Sequence, residues 1–170
     1  CQTIGMTMYD AMAQLTGETN PHRINELIHL YKVRYSDKYM VANTHLYPQT
    51  RPMLTRLKEK GARICIVSTK TRSRIQQTID KEHLNSYIDC VIGIEDVRDA
   101  KPSPQGIQTI QSRFHLPLGE ILYIGDSLID AQTAANAHVD FAAVTTGTTS
   151  AADFTVWPHV QIMHDLSELL

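Results

Sequence analysis

The stretch Ile-Leu-Tyr-Ile-Gly-Asp-Ser-Leu-Ile-Asp, residues 121–130, decides the fold. Its first four residues are apolar and β-favouring, and an alanine-rich segment of helical character follows over 128–137. A strand that runs into Gly125-Asp126 and then into a helix puts a carboxylate at the strand tip. Asp130 comes four residues later, in the first turn of that helix, so both carboxylates can face one point. Magnesium takes oxygen ligands and keeps several waters, so one or two carboxylates plus a substrate phosphate are enough to hold it. A plainer reading makes Asp126 or Ser127 the helix N-cap and Asp130 a complement to the helix dipole. On these residues alone the plainer reading has at least equal weight.

Outward from this unit, strands and helices alternate. Residues 141–145 read as the next strand, 160–163 as a short further one, and 166–170 as a helical end. Upstream, a helix over 104–114 carries Ile107, Ile110 and Phe114 on one face. Residues 88–93 and 63–68 read as strands, and 71–82 and 52–60 as helices, the last closed by Gly61. Such alternation predicts an α/β fold, a parallel sheet with helices on both faces. In sheets of this kind the ligand sits beyond the carboxyl ends of the strands.

Two more strand ends carry polar residues. The strand 63–68 ends in Ser68-Thr69-Lys70, and the strand 88–93 leads to Asp99-Ala100-Lys101-Pro102-Ser103-Pro104. Prolines on either side of Ser103 stiffen the loop, and Pro104 can open a helix. A fixed ammonium at Lys101 would neutralise a phosphoryl group and steady a carboxylate nucleophile. The competing reading is a solvated surface lysine, the usual fate of lysine. Ser68 could donate its hydroxyl to a phosphoryl oxygen, or it is an ordinary turn serine. Thr69 and Lys70 are weaker candidates for touching substrate.

Residues 1–46 read as all helix. Ile4, Met8, Ala11, Met12 and Leu15 share one helical face, Gly17 stops that helix, and Asn20-Pro21 starts another bearing Ile24, Leu27, Ile28, Tyr31 and Tyr35. These stripes are read as packing faces without a ligand role. The character changes at Tyr47-Pro48. Apolar residues are 42% and charged residues 20% of the chain, and the net charge is −2. This is the balance of a globular protein with a buried core, and it gives no reason to expect a nucleic-acid or anionic membrane partner. No apolar run approaches the roughly 20 residues of a membrane span. Cys65 and Cys90 sit in apolar runs, read as core residues, and together with Cys1 fit a reducing, cytoplasmic compartment.

Singly these signals are weak; in this order, each at a strand end, they resemble the haloacid dehalogenase-like hydrolases, in their phosphoglycolate phosphatase and pyrophosphatase branch. The matching pieces are IVSTK with Ser68, DAKPSP with Lys101, and GDSLID with Asp126 and Asp130. TIGMTMYDAMAQLTG looks like the start of that branch's helical cap, and LYPQTRPMLTRLKEKG looks like the return to the core. VTTGTTSAADF resembles the stretch after the last core strand. The resemblance implies a Rossmann-like core over 47–170, with part of a small α-helical cap over 1–46. It implies Mg²⁺ as cofactor and a small phosphorylated substrate, with Asp126 ligating the metal, Asp130 supporting it, and Ser68 and Lys101 gripping the phosphoryl group. In that family an aspartate at the tip of the first core strand attacks phosphorus, and a second, two residues on, serves as acid and base.

The sequence departs from the family at that first motif, since no Asp-x-Asp occurs in the chain. Asp10 lies inside a cap helix and does not replace it. Family order puts the motif before the cap, so the strand that carries it is expected upstream of Cys1. Its place is between the strands at 121–124 and 63–68, which would otherwise show unpaired edges across a gap. The 170-residue chain on its own is therefore expected neither to catalyse nor to fold well. His138 replaces a usual glycine and is read as a turn adjustment, and Gln49 stands at the glycine of a usual Pro-Gly pair. The alternatives are a catalytically inactive phosphate- or partner-binding module, a dehalogenase, which needs no magnesium and so fits the Asp126/Asp130 pair poorly, and a phosphoglucomutase-like mutase, less consistent with Ser68-Thr69-Lys70.

Overall fold

The computed structural model describes residues 3, 5–36 and 39–169. The chain begins with helices α1 (Met8–Thr16) and α2 (Pro21–Tyr31), and a π-helical turn, Lys32–Ser36, extends the second. Strands and helices then alternate: α3 (Thr50–Glu59), β1 (Cys65–Val67), α4 (Arg72–Lys81), β2 (Cys90–Ile92) and α5 (Gln105–Phe114). They continue with β3 (Leu122–Gly125), α6 (Leu128–Ala137), β4 (Asp140–Val144), α7 (Ala151–Phe154) and β5 (Gln161–Met163), and a 3₁₀ turn spans Leu166–Leu169.

The helix ends follow from short-range chemistry. Asn20 accepts from the His22 and Arg23 amides and Pro21 opens α2, while Gly17 closes α1 in the left-handed region at φ 70°. His83, His115 and His138 take the same left-handed turn after α4, α5 and α6, at φ 51°, 53° and 57°. The departure of His138 from glycine is thus accommodated at the cost of a less favourable backbone.

All pairs are parallel. β1 pairs with β2 with Cys65 opposite Cys90, β3 with β4 with Leu122 opposite Asp140, and β4 with β5 with Ala142 opposite Gln161. The expected single sheet is split into β1–β2 and β3–β4–β5, and among the described residues no strand joins β1 to β3. Each half alternates its faces. Val67, Cys90 and Ile92 meet Ile110 and Phe114 of α5, while Ile66 and Val91 meet Met53, Leu54, Ile75 and Ile79 of α3 and α4. In the other half, Tyr123, Phe141 and Ala143 pack on Ala131 and Ala134 of α6, and Ile124, Ala142 and Val144 face Leu166 and Leu169. Leu166 and Leu169 also touch the α3–α4 cluster, so the C-terminal turn spans the two halves.

The expectation of an all-helical segment to residue 46 is corrected at its end: residues 40–46 form turns and coil. The stripe on α1 is also less buried than its period suggests. Met8 is 37% and Leu15 69% exposed, and Ile4 lies outside the described residues. On α2 only Ile24 is buried, and the tyrosines continue past the helix as a ladder, Tyr31 to Tyr35 at 5.6 Å and Tyr35 to Tyr39 at 5.8 Å. Tyr35 is 52% exposed, so this period stacks rings on a surface and not in a core. Cys90 is buried and Cys65 half-buried, and both are free thiols. Among the described residues no helix is long and apolar enough to cross a membrane.

Candidate active site

Strand β3 delivers Gly125 and Asp126 to the carboxyl edge of its half-sheet, and Ser127 caps α6 there. Ser127 Oγ donates to Asp130 Oδ2 at 2.5 Å, the Ser127 amide donates to the same oxygen at 3.2 Å, and Ser127 Oγ accepts from the Asp130 amide at 3.3 Å. This reciprocal capping box buries Asp130. Gly125 is required beneath it, because a Cβ there would run into the Asp130 side chain.

The other oxygen of Asp130 faces the Lys101 loop. Lys101 Nζ donates to Asp130 Oδ1 at 2.6 Å, and the Tyr123 hydroxyl donates to that oxygen at 3.2 Å. Lys101 also donates to the Tyr123 hydroxyl at 3.4 Å. The ion pair is sheltered, with side chains 11% and 8% exposed. Burial, and then the charge on Asp130, pushes the Tyr123 phenol far above its ordinary range, so it stays a neutral donor. Both Asp130 oxygens thus accept two hydrogen bonds each, which uses the acceptor capacity of a carboxylate.

The loop is fastened on both sides of Lys101. The Gln105 side chain accepts from the Arg98 and Asp99 amides at 2.6 and 3.1 Å, and Asn136 of α6 donates to the Pro102 carbonyl at 2.8 Å. The Lys101–Pro102 peptide is cis. Helix α6 therefore holds the loop twice, through Asp130 and through Asn136.

Asp126 differs from Asp130. It is half-buried, and among the described residues no hydrogen bond or ion pair reaches its carboxylate. Gly147 passes close by, and a Cβ there would press on the Asp126 side chain. A carboxylate with its acceptor capacity free suits a hard divalent cation that draws its other ligands from water and phosphate. Among the described residues no group of three or more His, Cys, Asp or Glu side chains is placed to hold a metal, and Asp130 is engaged by Lys101, Tyr123 and Ser127.

A cavity of about 790 Å³ runs between β1 and β3. Cys65, Ile66 and Val67 form one wall and Leu122, Tyr123 and Ile124 the other, with Lys101, Asp126 and Asp130 among its lining residues. Burial pushes the Cys65 thiol on this wall up to about 11, so it is not a nucleophile near neutrality. Ser68 lines a small neighbouring cleft that Lys101 shares, and its Oγ accepts from the Lys70 amide at 3.1 Å. Asp126 also lines a further pocket of about 360 Å³ with Tyr47, Met53 and Thr146. Thr69 is half-buried and Lys70 exposed, and neither lines any of these cavities.

Of the residues singled out from sequence, Lys101, Asp126 and Asp130 share one cavity, Ser68 lines a small separate cleft with Lys101, and Thr69 and Lys70 stand apart. Tyr123, Ser127 and Asn136 were not singled out. Ser127 was legible as an N-cap candidate, and Tyr123 carried a signal too: it is the one residue of the 121–124 strand with a polar tip. No local pattern marks Asn136.

A family model described as haloacid dehalogenase-like hydrolase matches residues 1–144. A phosphoglycolate phosphatase from Rhodobacter capsulatus is 30% identical over 174 aligned positions, covering 94% of this chain and 78% of that protein. A protein provisionally named pyrophosphatase PpaX, from Caldanaerobacter subterraneus subsp. tengcongensis, is 31% identical over 110 residues. That match covers 65% of this chain and only 50% of the relative. Among solved structures, a provisionally named haloacid dehalogenase-like hydrolase from Bacteroides fragilis superposes with a TM-score of 0.94 at 41% identity, covering 99% of this chain and 80% of that one.

Proposed function

The chain belongs to the haloacid dehalogenase-like hydrolase family, and from that membership and the cavity's geometry we propose that it is the phosphate-gripping part of a magnesium-dependent phosphatase. Its substrate is a small phosphorylated metabolite of the phosphoglycolate kind, or pyrophosphate, as the names of its relatives suggest. One observation carries this reading: Lys101, Asp126 and Asp130 converge on a cavity walled by two parallel strand edges that are unpaired among the described residues.

The cavity is the place for an extended segment carrying Asp-x-Asp, expected from family order upstream of Cys1. Such a strand would satisfy the open backbone groups of β1 and β3 together. It would also cover the exposed part of Ile66, Leu122 and Ile124, worth roughly 1 kcal/mol for each. Its first aspartate would then lie at the carboxyl edge beside Lys101.

Each residue has a distinct task in this reading. Lys101 neutralises a phosphoryl oxygen and steadies the attacking carboxylate, Asp130 holds Lys101, and Ser68 donates its hydroxyl to the phosphoryl group. Asp126 holds magnesium, which when bound spreads the charge of the transferring phosphoryl group. Thr69 and Lys70 lie far enough along the loop to meet only the outer part of a substrate. Residues 1–46 serve as part of a cap that excludes water and selects the substrate. The free thiols Cys65 and Cys90 support a reducing compartment such as the cytoplasm.

The test is hydrolysis of an aryl phosphate by the complete protein, with and without magnesium. Lys101→Ala or Asp126→Ala is expected to lower the magnesium-dependent rate by about 10²–10³. Full activity in either variant would contradict the assignment. Magnesium-dependent phosphate binding without turnover would favour an inactive phosphate-binding module instead.

A further inference from the structure

We propose that Tyr123 is a positioning residue: its hydroxyl fixes the rotation of the Lys101 ammonium so that one N–H remains for the phosphoryl group. This rests on the reading above that Lys101 meets substrate. The geometry is a closed triangle. Lys101 Nζ donates to Asp130 Oδ1 at 2.6 Å and to the Tyr123 hydroxyl at 3.4 Å, and that hydroxyl donates to the same Oδ1 at 3.2 Å. An ammonium has three donors. Two are committed inside the triangle, which leaves one.

A lysine held by a carboxylate alone can turn about its terminal bond, and it sits on a flexible four-carbon stem. A second acceptor at a fixed angle removes that freedom. Tyr123 is fitted to provide it, because its ring is clamped. The ring packs with the α6–β4 cluster and lies 6.5 Å from the Phe141 ring. The strand can bury a tyrosine there only because its hydroxyl finds partners. Phenylalanine would satisfy the packing, so the hydroxyl serves the triangle and not the core.

Positioning is worth more than the hydrogen bond's contribution to stability, since misplacing a catalytic group by a fraction of its reach lowers the rate without altering affinity. Tyr123→Phe keeps the ring and removes only the hydroxyl. In the complete protein it is expected to lower kcat about tenfold with KM for the aryl phosphate unchanged. In parallel, the side-chain ammonium of Lys101, identified as the ¹H–¹⁵N signal lost in Lys101→Met, is expected to be protected from water exchange in the wild type. In Tyr123→Phe it should broaden. A merely structural role would lower the melting temperature and leave the protected signal in place.

Either half failing overturns the proposal: an unchanged kcat, or an unchanged ammonium signal. If the wild type proves inactive but its ammonium signal depends on Tyr123, the phosphatase reading falls and takes the catalytic half of the proposal with it, while the fixing of the ammonium by Tyr123 is retained. If the wild type is active and Tyr123→Phe matches it in both measurements, the positioning role falls and the phosphatase reading stands.

Discussion

The strands bordering the cavity and those one place further out are made of similar residues but are buried differently. In β4, Phe141, Ala142, Ala143 and Val144 are all buried, and in β2 so are Cys90 and Ile92. In β1 all three residues are only half-buried, and Leu122 in β3 is 42% exposed. Yet β1 is Cys-Ile-Val and β3 is Leu-Tyr-Ile-Gly, apolar on both faces, the composition of strands enclosed in a parallel sheet. Edge strands ordinarily carry charge or proline as protection. The mismatch between an interior composition and an edge position is what the proposed strand in the cavity would resolve. Lys101, Asp126 and Asp130 line that same cavity, as expected where the central strands of a parallel sheet deliver their ends to one point.

The comparison can be broken most forcefully on the β3 side. Asp130→Ala leaves Lys101 sheltered and unpaired, and is expected to cost about 3–5 kcal/mol in urea denaturation. Phe141→Ala on β4 should cost a similar ~3–5 kcal/mol. The β1 side sharpens it: in the complete protein Ile66→Ala should cost about 2–5 kcal/mol, as for an interior position. A loss of a few tenths would make β1 a true edge.

Two smaller effects concern the ties around the core. Lys81 donates to the carbonyls of Val41, Ala42 and Thr44 at 3.1, 3.2 and 2.6 Å, pinning the return from the helical segment to α4. Lys81→Met should destabilise this turn by about 1 kcal/mol, the bonds being partly screened by water, and quicken amide exchange over 41–46 while β4 is unaffected. Burial raises the Asp89 carboxyl, but hydrogen bonds from Lys58 and the Ile64 amide outweigh it and hold the group below its usual range. A depressed carboxyl stabilises the fold above its unfolded-state pKa, and this contribution is lost as pH falls through the folded value. Asp89→Asn should therefore flatten the acid limb of stability, by less than about 1 kcal/mol at this exposed, solvent-screened site. Smallest of all, His138→Gly relieves a left-handed histidine and should raise stability by about 0.5–1 kcal/mol, seen as a higher urea midpoint at unchanged slope.

Much of this was legible in the chain because its signals are local. The helix 128–137 coincides with α6 since Ser127 caps it and His138 ends it, both within one turn. Asn20-Pro21 and Gly17 marked their boundaries for the same reason. The stripe through Tyr31 and Tyr35 misled, because ring stacking along a surface has the same period as core packing. In the site, the positions of Lys101 and Asp126 followed from strand ends. The pairing of Lys101 with Asp130 did not, because it depends on a loop folding back across 29 residues. Tyr123 carried only a weak signal, its polar tip, in a strand position that any large apolar ring would also fit.

The central claim is that β1 and β3 are interior strands of one sheet. Amide hydrogen exchange on the complete protein tests it most directly. The amides of β1 and β3 that face the cavity are expected to be protected to the level of β2 and β4. Exchange of the β1 and β3 amides at the rate of the exposed turns, with β2 and β4 protected, would contradict it.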